Sequence, residues 1–399
     1  MIGATTKTVD LGAGNDVATL SVSALGAGGS LKGGEGTDTL VMNTNGSAIA
    51  GLPQITGFET LRVAGAAAQG AHNANGFTAL EVGLLGAGNA SFTNVAAGVG
   101  LTQLATMGND LTVSLADATG TSDVFNLNMK SAGAIGNAGE TITLNGVETV
   151  NVSLDDTDTT AHVNVLELVG DKVTTVNVSG DAGLQVLNAP ATITNFDASG
   201  VVLGKVTDTG VTFTSTNSTV AEIVNIKGSN GVDALSGSAT ANDVIDGGAG
   251  ADTIIYTGGS DTFTGGAGND TFDINANGTK AAHAKIMDLT AGDKIDFAGV
   301  IDAGTLGNVD YAAGAGGFGA QKVTLGAAAT LDMYLDAAAA ADGATGDEIV
   351  KWFDFGGDTY VVVDNTAGAT FSATDSVVKL AGGSDLTNSA VVDGVLTFA

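Results

Sequence analysis

Short apolar runs and polar turn residues alternate along almost the whole chain. Runs of Val, Thr, Leu and Ile are broken about every ten residues by Gly, Asn or Asp, and only two prolines occur in 399 residues. That pattern predicts many short β-strands and little helix. One strand unit recurs in recognisable form: Gly57-Phe58-Glu59-Thr60-Leu61-Arg62-Val63 returns as Gly146-Val147-Glu148-Thr149-Val150-Asn151-Val152. Residues 80–82, 174–178 and 192–196 are shorter relatives. Similar rungs predict parallel strands stacked in a β-solenoid, each burying its apolar residues against the next. An antiparallel sandwich gives the same spacing, so the pattern leaves that alternative open.

Two segments depart from the rung pattern. Residues 327–341 (AAATLDMYLDAAAAA) are rich in helix formers, place Leu331 and Leu335 at i, i+4, and are followed by Asp342-Gly343. They predict the one substantial helix. Further on, Val350 to Phe355 and Thr359 to Val363 flank Gly356-Gly357-Asp358, a hairpin signal that includes the single Trp, Trp352.

Charge changes the picture next. Against 43 Asp+Glu stand 13 Lys+Arg, a formal net charge of −30. Binding to a phosphate backbone is driven by Lys/Arg releasing counterions, so nucleic acid is excluded as a partner. Docking to an anionic bilayer through a basic patch fails for the same reason. Of the acids 35 are Asp and eight are Glu, and 61 residues are Gly, which places the charge in turns. Disorder does not account for it, because 44% of the residues are hydrophobic and the mean hydropathy is positive. Cysteine is absent, so disulfides, thiolate metal sites and thiol catalysis are excluded. Stability in an oxidising exterior then needs another device, for which a metal is one candidate. No basic-then-apolar leader follows Met1, and no apolar run is long enough to span a bilayer.

The strongest chemical signal is a nonapeptide of the form G-G-x-G-x-D-x-U-x, with U a large apolar residue. Residues 247–255 (GGAGADTII) and 265–273 (GGAGNDTFD) fit at every fixed position. Between them residues 256–264 (YTGGSDTFT) form a partial copy at the nine-residue step. Upstream, residues 228–236 keep Asp233 and Leu235, and residues 237–245 keep Asp243 after one extra residue. Glycine lets the backbone take left-handed turns and point its carbonyls inward, Asp supplies a carboxylate, and U enters the core. Calcium takes about six to eight oxygens at roughly 2.3–2.6 Å, so two stacked turns can enclose an ion where one cannot. With two nonapeptides per coil, Asp233, Asp252 and Asp270 fall on one edge and Asp243 and Asp261 on the other. Gly247, Ala249, Gly265 and Ala267 complete the candidate ligand set. Several calcium ions are expected.

A second array opens the chain. Residues 33–41 (GGEGTDTLV) match fully and bring Asp38; residues 11–18 (LGAGNDVA) match more weakly and bring Asp16. Downstream of the main array, residues 285–297 (KIMDLTAGDKIDF) carry Asp288, Asp293 and Asp296. They read either as a terminal calcium site or as a plain surface hairpin.

These motifs resemble the RTX (repeats-in-toxin) proteins, in which such an array is followed by an I-x-D-x-x-x-G-D-K-I-D segment and an acidic tail. Longer stretches are similar to one subgroup, the surface-layer (S-layer) proteins of the Caulobacter type: residues 62–80 (RVAGAAAQGAHNANGFTAL), 119–127 (TGTSDVFNL), 237–245 (GSATANDVI) and 350–364 (VKWFDFGGDTYVVVD). The resemblance runs through nearly all of the chain. It implies a secreted, extracellular protein that assembles with itself into a calcium-dependent hexameric lattice on the outer surface. It also implies export by a type I ABC transporter, directed by an uncleaved C-terminal signal. In that family a separate N-terminal region attaches the protein to lipopolysaccharide. Nothing here corresponds to it, so the chain is expected to be the lattice-forming part, with lipopolysaccharide bound only through that missing region. The expected organisation is N-terminal RTX-like repeats over residues 1–45, a β-solenoid or layered β domain over 46–227, a calcium β-roll over 228–278, and a capping and secretion region over 279–399.

Enzymatic signatures are weak. His72, His162 and His283 lie far apart, and no H-E-x-x-H, G-x-S-x-G or phosphate-binding G-x-x-x-x-G-K-[ST] occurs. Gly314, Gly316 and Gly319 satisfy G-x-G-x-x-G without a clear preceding strand, a match that abundant glycine produces by chance. Asp155, Asp156 and Asp158 read as a solvated loop or calcium ligands more readily than as an acid/base pair. A structural lattice protein is the expected function. An RTX adhesin and the secretion tail of an extracellular hydrolase are the alternatives.

Overall fold

A computed structural model describes residue 2 and residues 5–21, 25–44, 54–204, 209–220, 222–301, 310–340, 349–365 and 368–399. Half of the chain is strand and 3% is helix, arranged as a parallel β-solenoid of about 12 turns. It divides into two compact units, residues 1–193 with 200–209, and residues 194–199 with 210–399. The parallel pairing removes the antiparallel sandwich as an alternative.

In the first unit, strands Val17–Leu20, Thr39–Met42, Thr60–Asn73, Ala79–Val95, Leu101–Gln103, Val124–Ser131, Thr149–Asp156 and Thr175–Gly180 pair in parallel, one after another. The register stacks one apolar column: Leu40, Leu61, Leu80, Leu101, Leu127, Val152 and Val178. All seven are buried, and each contributes roughly 1.5–3 kcal/mol by leaving water. The recurring unit seen in the sequence is this column's rung, with Thr60 and Thr149 each opening a strand. A second parallel ladder runs from the far end of Ala79–Val95 through Leu111–Leu115, Gly136–Asn145, Val163–Val169 and Gly183–Leu187.

The second unit also carries two parallel ladders. On one, Phe196, Ile226, Ile245, Phe263, Ile286 and Leu380 are in register. On the other, Leu235, Ile254, Phe272 and Ile295 follow in parallel, and Leu396 closes the column on an antiparallel strand, Val395–Thr397. Through the repeats the rung shortens to two nonapeptides per turn, with Val244 opposite Thr262 and Ile254 opposite Phe272. Phe263 and Phe272 stack with centroids 6.5 Å apart, so the thin coil is filled by large side chains.

Beyond the repeats an antiparallel sheet of Ile349–Phe355, Asp358–Asp364 and Ser376–Leu380 pairs through its last strand with Lys285–Ile286, covering what would be an open strand edge. Gly356 and Gly357, at φ 65° and 95°, form the two-residue hairpin turn. Trp352 is fully buried and donates its indole N–H to the Phe318 carbonyl at 3.1 Å.

The helix is shorter than its composition predicts. It spans Leu331–Ala338, beginning at Thr330, whose hydroxyl accepts the Met333 N–H at 3.3 Å. That cap outweighs the helix propensity of the alanines before it, which form a turn closed by the Ala329 N–H on the Gly326 carbonyl. Leu335 and Ala338 pack on Phe353, Tyr360 and Val362. Residues 341–343, at the expected stop, lie outside the described residues.

Candidate calcium-binding turns

Asp243, Asp252, Asp261 and Asp270 each sit one residue before a strand, where the chain leaves the turn and enters the coil, and Asp233 is the second residue of strand Val232–Ser236. There the stacking links acids of successive turns. The Asp233 N–H donates to Oδ1 of Asp252 at 2.8 Å, the Asp252 N–H to Oδ1 of Asp270 at 2.9 Å, and the Asp270 N–H to Oδ1 of Asp293 at 2.9 Å. On the other edge the Asp243 N–H donates to Oδ1 of Asp261 at 2.8 Å. The first unit repeats the device, with the Asp16 N–H on Oδ1 of Asp38 at 2.7 Å and the Asp38 N–H on Oε2 of Glu59 at 2.8 Å.

One oxygen of each inner carboxylate is therefore used, and the other is not. Oδ2 of Asp38, Asp252, Asp261 and Asp270 is buried without a hydrogen-bond partner, as is Oδ1 of Asp243. Asp38, Asp243, Asp252, Asp261 and Asp270 are each at most 1% exposed. An unpartnered buried anion is costly unless something positive meets it. Burial accordingly pushes the Asp252 carboxyl up to about 7, helped by the charges of Asp233, Asp270 and Asp246, and the Asp261 carboxyl up to about 8, helped by Asp243. Burial raises Asp243 and Asp270 as well, the latter also through Asp293 and Asp288.

The ends of the longer row differ from its middle. Both oxygens of Asp233 accept protein hydrogen bonds, because Ser229 stands where the repeat has its second glycine and gives its N–H and hydroxyl. Oδ2 of Asp293 takes the N–H and hydroxyl of Thr290 at 2.6 and 3.0 Å. Hydroxyl residues thus cap the row, and the metal-seeking oxygens lie between the caps.

Glycine has two separate tasks in these turns. Gly248 and Gly266, at φ 100° and 97°, and Gly250 and Gly268, at 137° and 146°, occupy backbone conformations that side chains rarely adopt. Gly247 does not, yet a Cβ there would lie 2.6 Å from both Asp252 Oδ2 and the Gly265 carbonyl. The space over Gly247 is thus ringed by an unpartnered carboxylate oxygen and a carbonyl from the next turn. Gly265 and Gly33 bear the same relation to Asp270 Oδ2 and Asp38 Oδ2. Clustered hard oxygens, one anionic and unpaired, are a donor set that fits calcium. Among the other candidates, the Ala267 carbonyl accepts the Gly250 N–H at 2.8 Å, and Ala249 lies opposite Ala267 in register.

Asp288 and Asp293, with Asp296, are not brought to one point. Asp288 accepts the N–H groups of Gly265 and Gly266, one on each oxygen at 2.8 Å, and so braces the turn. Asp293 continues the row, and Asp296 lies on strand Lys294–Asp296. Two residues that sequence reasoning passed over hold the row's position elsewhere: Glu59 after Asp38, and Glu148, whose Oε2 accepts the Asp123 N–H at 2.8 Å. The signal was an acid directly before the strand in both copies of the recurring unit.

Comparison with known families agrees with this geometry. Residues 227–262 and 257–273 match the family described as RTX calcium-binding nonapeptide repeat (4 copies). The chain carries RTX repeats. No curated protein matches it. The RTX match covers the turns that hold Asp233 through Asp270, so the turns with paired buried carboxylates are those of a calcium-binding repeat.

Proposed function

We propose that this chain is a calcium-ordered structural protein of the bacterial exterior that assembles with itself into an S-layer lattice. The observation that carries the calcium part is the row of buried carboxylates, in which Asp252 and Asp270 each have one oxygen tied to the preceding turn and one left unpartnered. Asp252 and Asp270, with Asp261 on the opposite edge and Asp38 in the first unit, would hold the ions, together with carbonyls such as that of Gly265. Bound calcium supplies the positive charge that lets these carboxylates remain ionised in a buried turn. Without it the acids repel one another and the glycine-rich turns lose their order; with it the coil becomes a stiff unit.

Proteins with RTX repeats are typically secreted and extracellular. That supports export through a type I ABC transporter, and a cell-surface site follows from the resemblance to S-layer proteins. In this role the chain performs no catalysis, its lattice partner is a second copy of itself, and lipopolysaccharide attachment belongs to a region other than these residues.

Electron microscopy of the purified chain before and after millimolar calcium tests the assembly. Ordered two-dimensional sheets that form with calcium and dissolve on chelation are the expected result. Folded, calcium-loaded protein that stays monomeric would overturn the lattice and favour an RTX adhesin.

A further inference from the structure

Outside the nonapeptide array, one turn of the first unit keeps the array's corner without its glycine pair. Residues 118–125 (ATGTSDVF) place Asp123 two positions before Phe125, which is buried as the U residues of the repeats are. The Asp123 N–H donates to Oε2 of Glu148 in the next turn at 2.8 Å, as the Asp252 N–H does to Asp270. Oδ2 of Asp123 is buried and has no hydrogen-bond partner. The corner therefore has the acid pair and the orphaned oxygen of a calcium turn.

Into this corner reaches Lys172, from the loop before strand Thr175–Gly180. Its ammonium donates to the carbonyls of Ala118 at 3.3 Å and Gly120 at 3.4 Å, and lies 3.6 Å from Oε1 of Glu148. Ala118 and Gly120 stand five and three residues before Asp123, the places that Gly247 and Ala249 hold before Asp252. The nitrogen thus hydrogen-bonds two carbonyls and forms an ion pair with Glu148, while Oδ2 of Asp123 stays unpartnered. The neighbouring Asp171 fixes the approach by accepting the Gly146 N–H at 2.8 Å.

We propose that Lys172 is a tethered cation that occupies, at the Asp123–Glu148 corner, the carbonyls and second acid a calcium ion would use, leaving Oδ2 of Asp123 free, and that removing it opens a calcium site there. The proposal rests on the calcium reading of the array. Its chemistry is a substitution of one hard cation for another against the same class of oxygen donors. Because the ammonium is part of the chain, this turn closes at any calcium concentration, whereas the array closes only when the metal is supplied.

Two measurements on the full chain test this. In equilibrium dialysis with metal analysis, Lys172→Ala should bind one more calcium ion per chain than the parent at the same free calcium. Adding Asp123→Asn to that variant should remove the extra ion. Folded Lys172→Ala with the parent's calcium count overturns the proposal. The second measurement needs no variant: in the calcium-loaded parent, brief amine acylation read by mass spectrometry should modify Lys172 several-fold more slowly than the exposed Lys7 and Lys32. Equal rates overturn the proposal whatever the array does. A parent chain that takes up no calcium would instead overturn the reading of the array, an outcome the acylation rates distinguish.

Discussion

Oδ1 of Asp270 accepts the backbone N–H of Asp252 at 2.9 Å, while Oδ2 of the same carboxylate is buried with no partner. A side chain of one turn thus fixes the backbone of the turn before it and keeps one oxygen for a cation. The pairing couples consecutive sites along an edge and leaves the two edges separate.

That coupling is measurable. Asp252→Asn and Asp270→Asn should combine non-additively in calcium-dependent stability, with an interaction of about 0.5–3 kcal/mol, because they share a turn interface. Asp252→Asn with Asp261→Asn should come close to additivity, since Asp261 is bonded to Asp243 on the other edge. Equal coupling in the two pairs, read from calcium-dependent denaturation, would contradict the arrangement.

Filling the space over Gly247 should act on calcium rather than on backbone strain. Gly247 lacks a positive φ, so the new methyl group in Gly247→Ala is opposed by its neighbours instead, Asp252 Oδ2 and the Gly265 carbonyl at 2.6 Å and Asp252 Cβ at 3.1 Å. Calcium affinity should fall about 10- to 100-fold, the range seen when a group supporting a metal site is altered. Gly248→Ala, at φ 100°, should in addition destabilise the calcium-loaded fold. Isothermal calorimetry on both variants would expose an unaltered affinity in Gly247→Ala.

Protons compete with the metal. The ordinary Asp value is 3.8, and burial lifts Asp252 to about 7 and Asp261 to about 8. Without calcium the folded chain therefore holds more protons than the unfolded chain across that window, so these two acids make it less stable as pH rises through it. Calcium must displace those protons, so its affinity should climb from pH 5 to 8, by up to about tenfold per pH unit for each proton released. Buried His72, held down to about 4, works in the opposite sense, since charging it at low pH costs stability. The parent is therefore compared with Asp252→Asn/Asp261→Asn, whose calcium-free stability should fall less steeply with rising pH, the remainder coming from Asp243 and Asp270. An identical pH profile in parent and variant would count against the buried, unpaired carboxylates.

Much of this fold was legible because a solenoid writes its period into the chain. Thr60-Leu61 and Thr149-Val150 announced their rungs, and the nine-residue step of Asp252, Asp261 and Asp270 fixed which acids would stack. Glu59 and Glu148 were harder to see: an acid inside a recurring strand unit reads as part of the strand, and only stacking sets it on the acid of the turn before. Lys172 lies 52 residues from Gly120 and meets it only after the coil passes through an intervening turn, which no local pattern encodes. The helix start at Thr330 was decided by one hydroxyl that composition does not weigh.

The core makes a separate prediction. Phe263 is fully buried between Tyr256 and Phe272, so Phe263→Ala should cost about 3–5 kcal/mol in saturating calcium. Val232, 49% exposed on its strand, should tolerate Val232→Ala within about 0.5 kcal/mol. Urea midpoints in excess calcium would show whether the two substitutions differ as the burial requires.

The most direct test of the central claim is a calcium titration of the full chain, with circular dichroism and bound calcium measured on the same samples. β-Structure should be gained in step with calcium uptake, and Asp252→Asn, Asp261→Asn and Asp270→Asn should each move that transition to higher calcium. A chain that shows its full β signal in chelator and takes up no calcium would contradict the account.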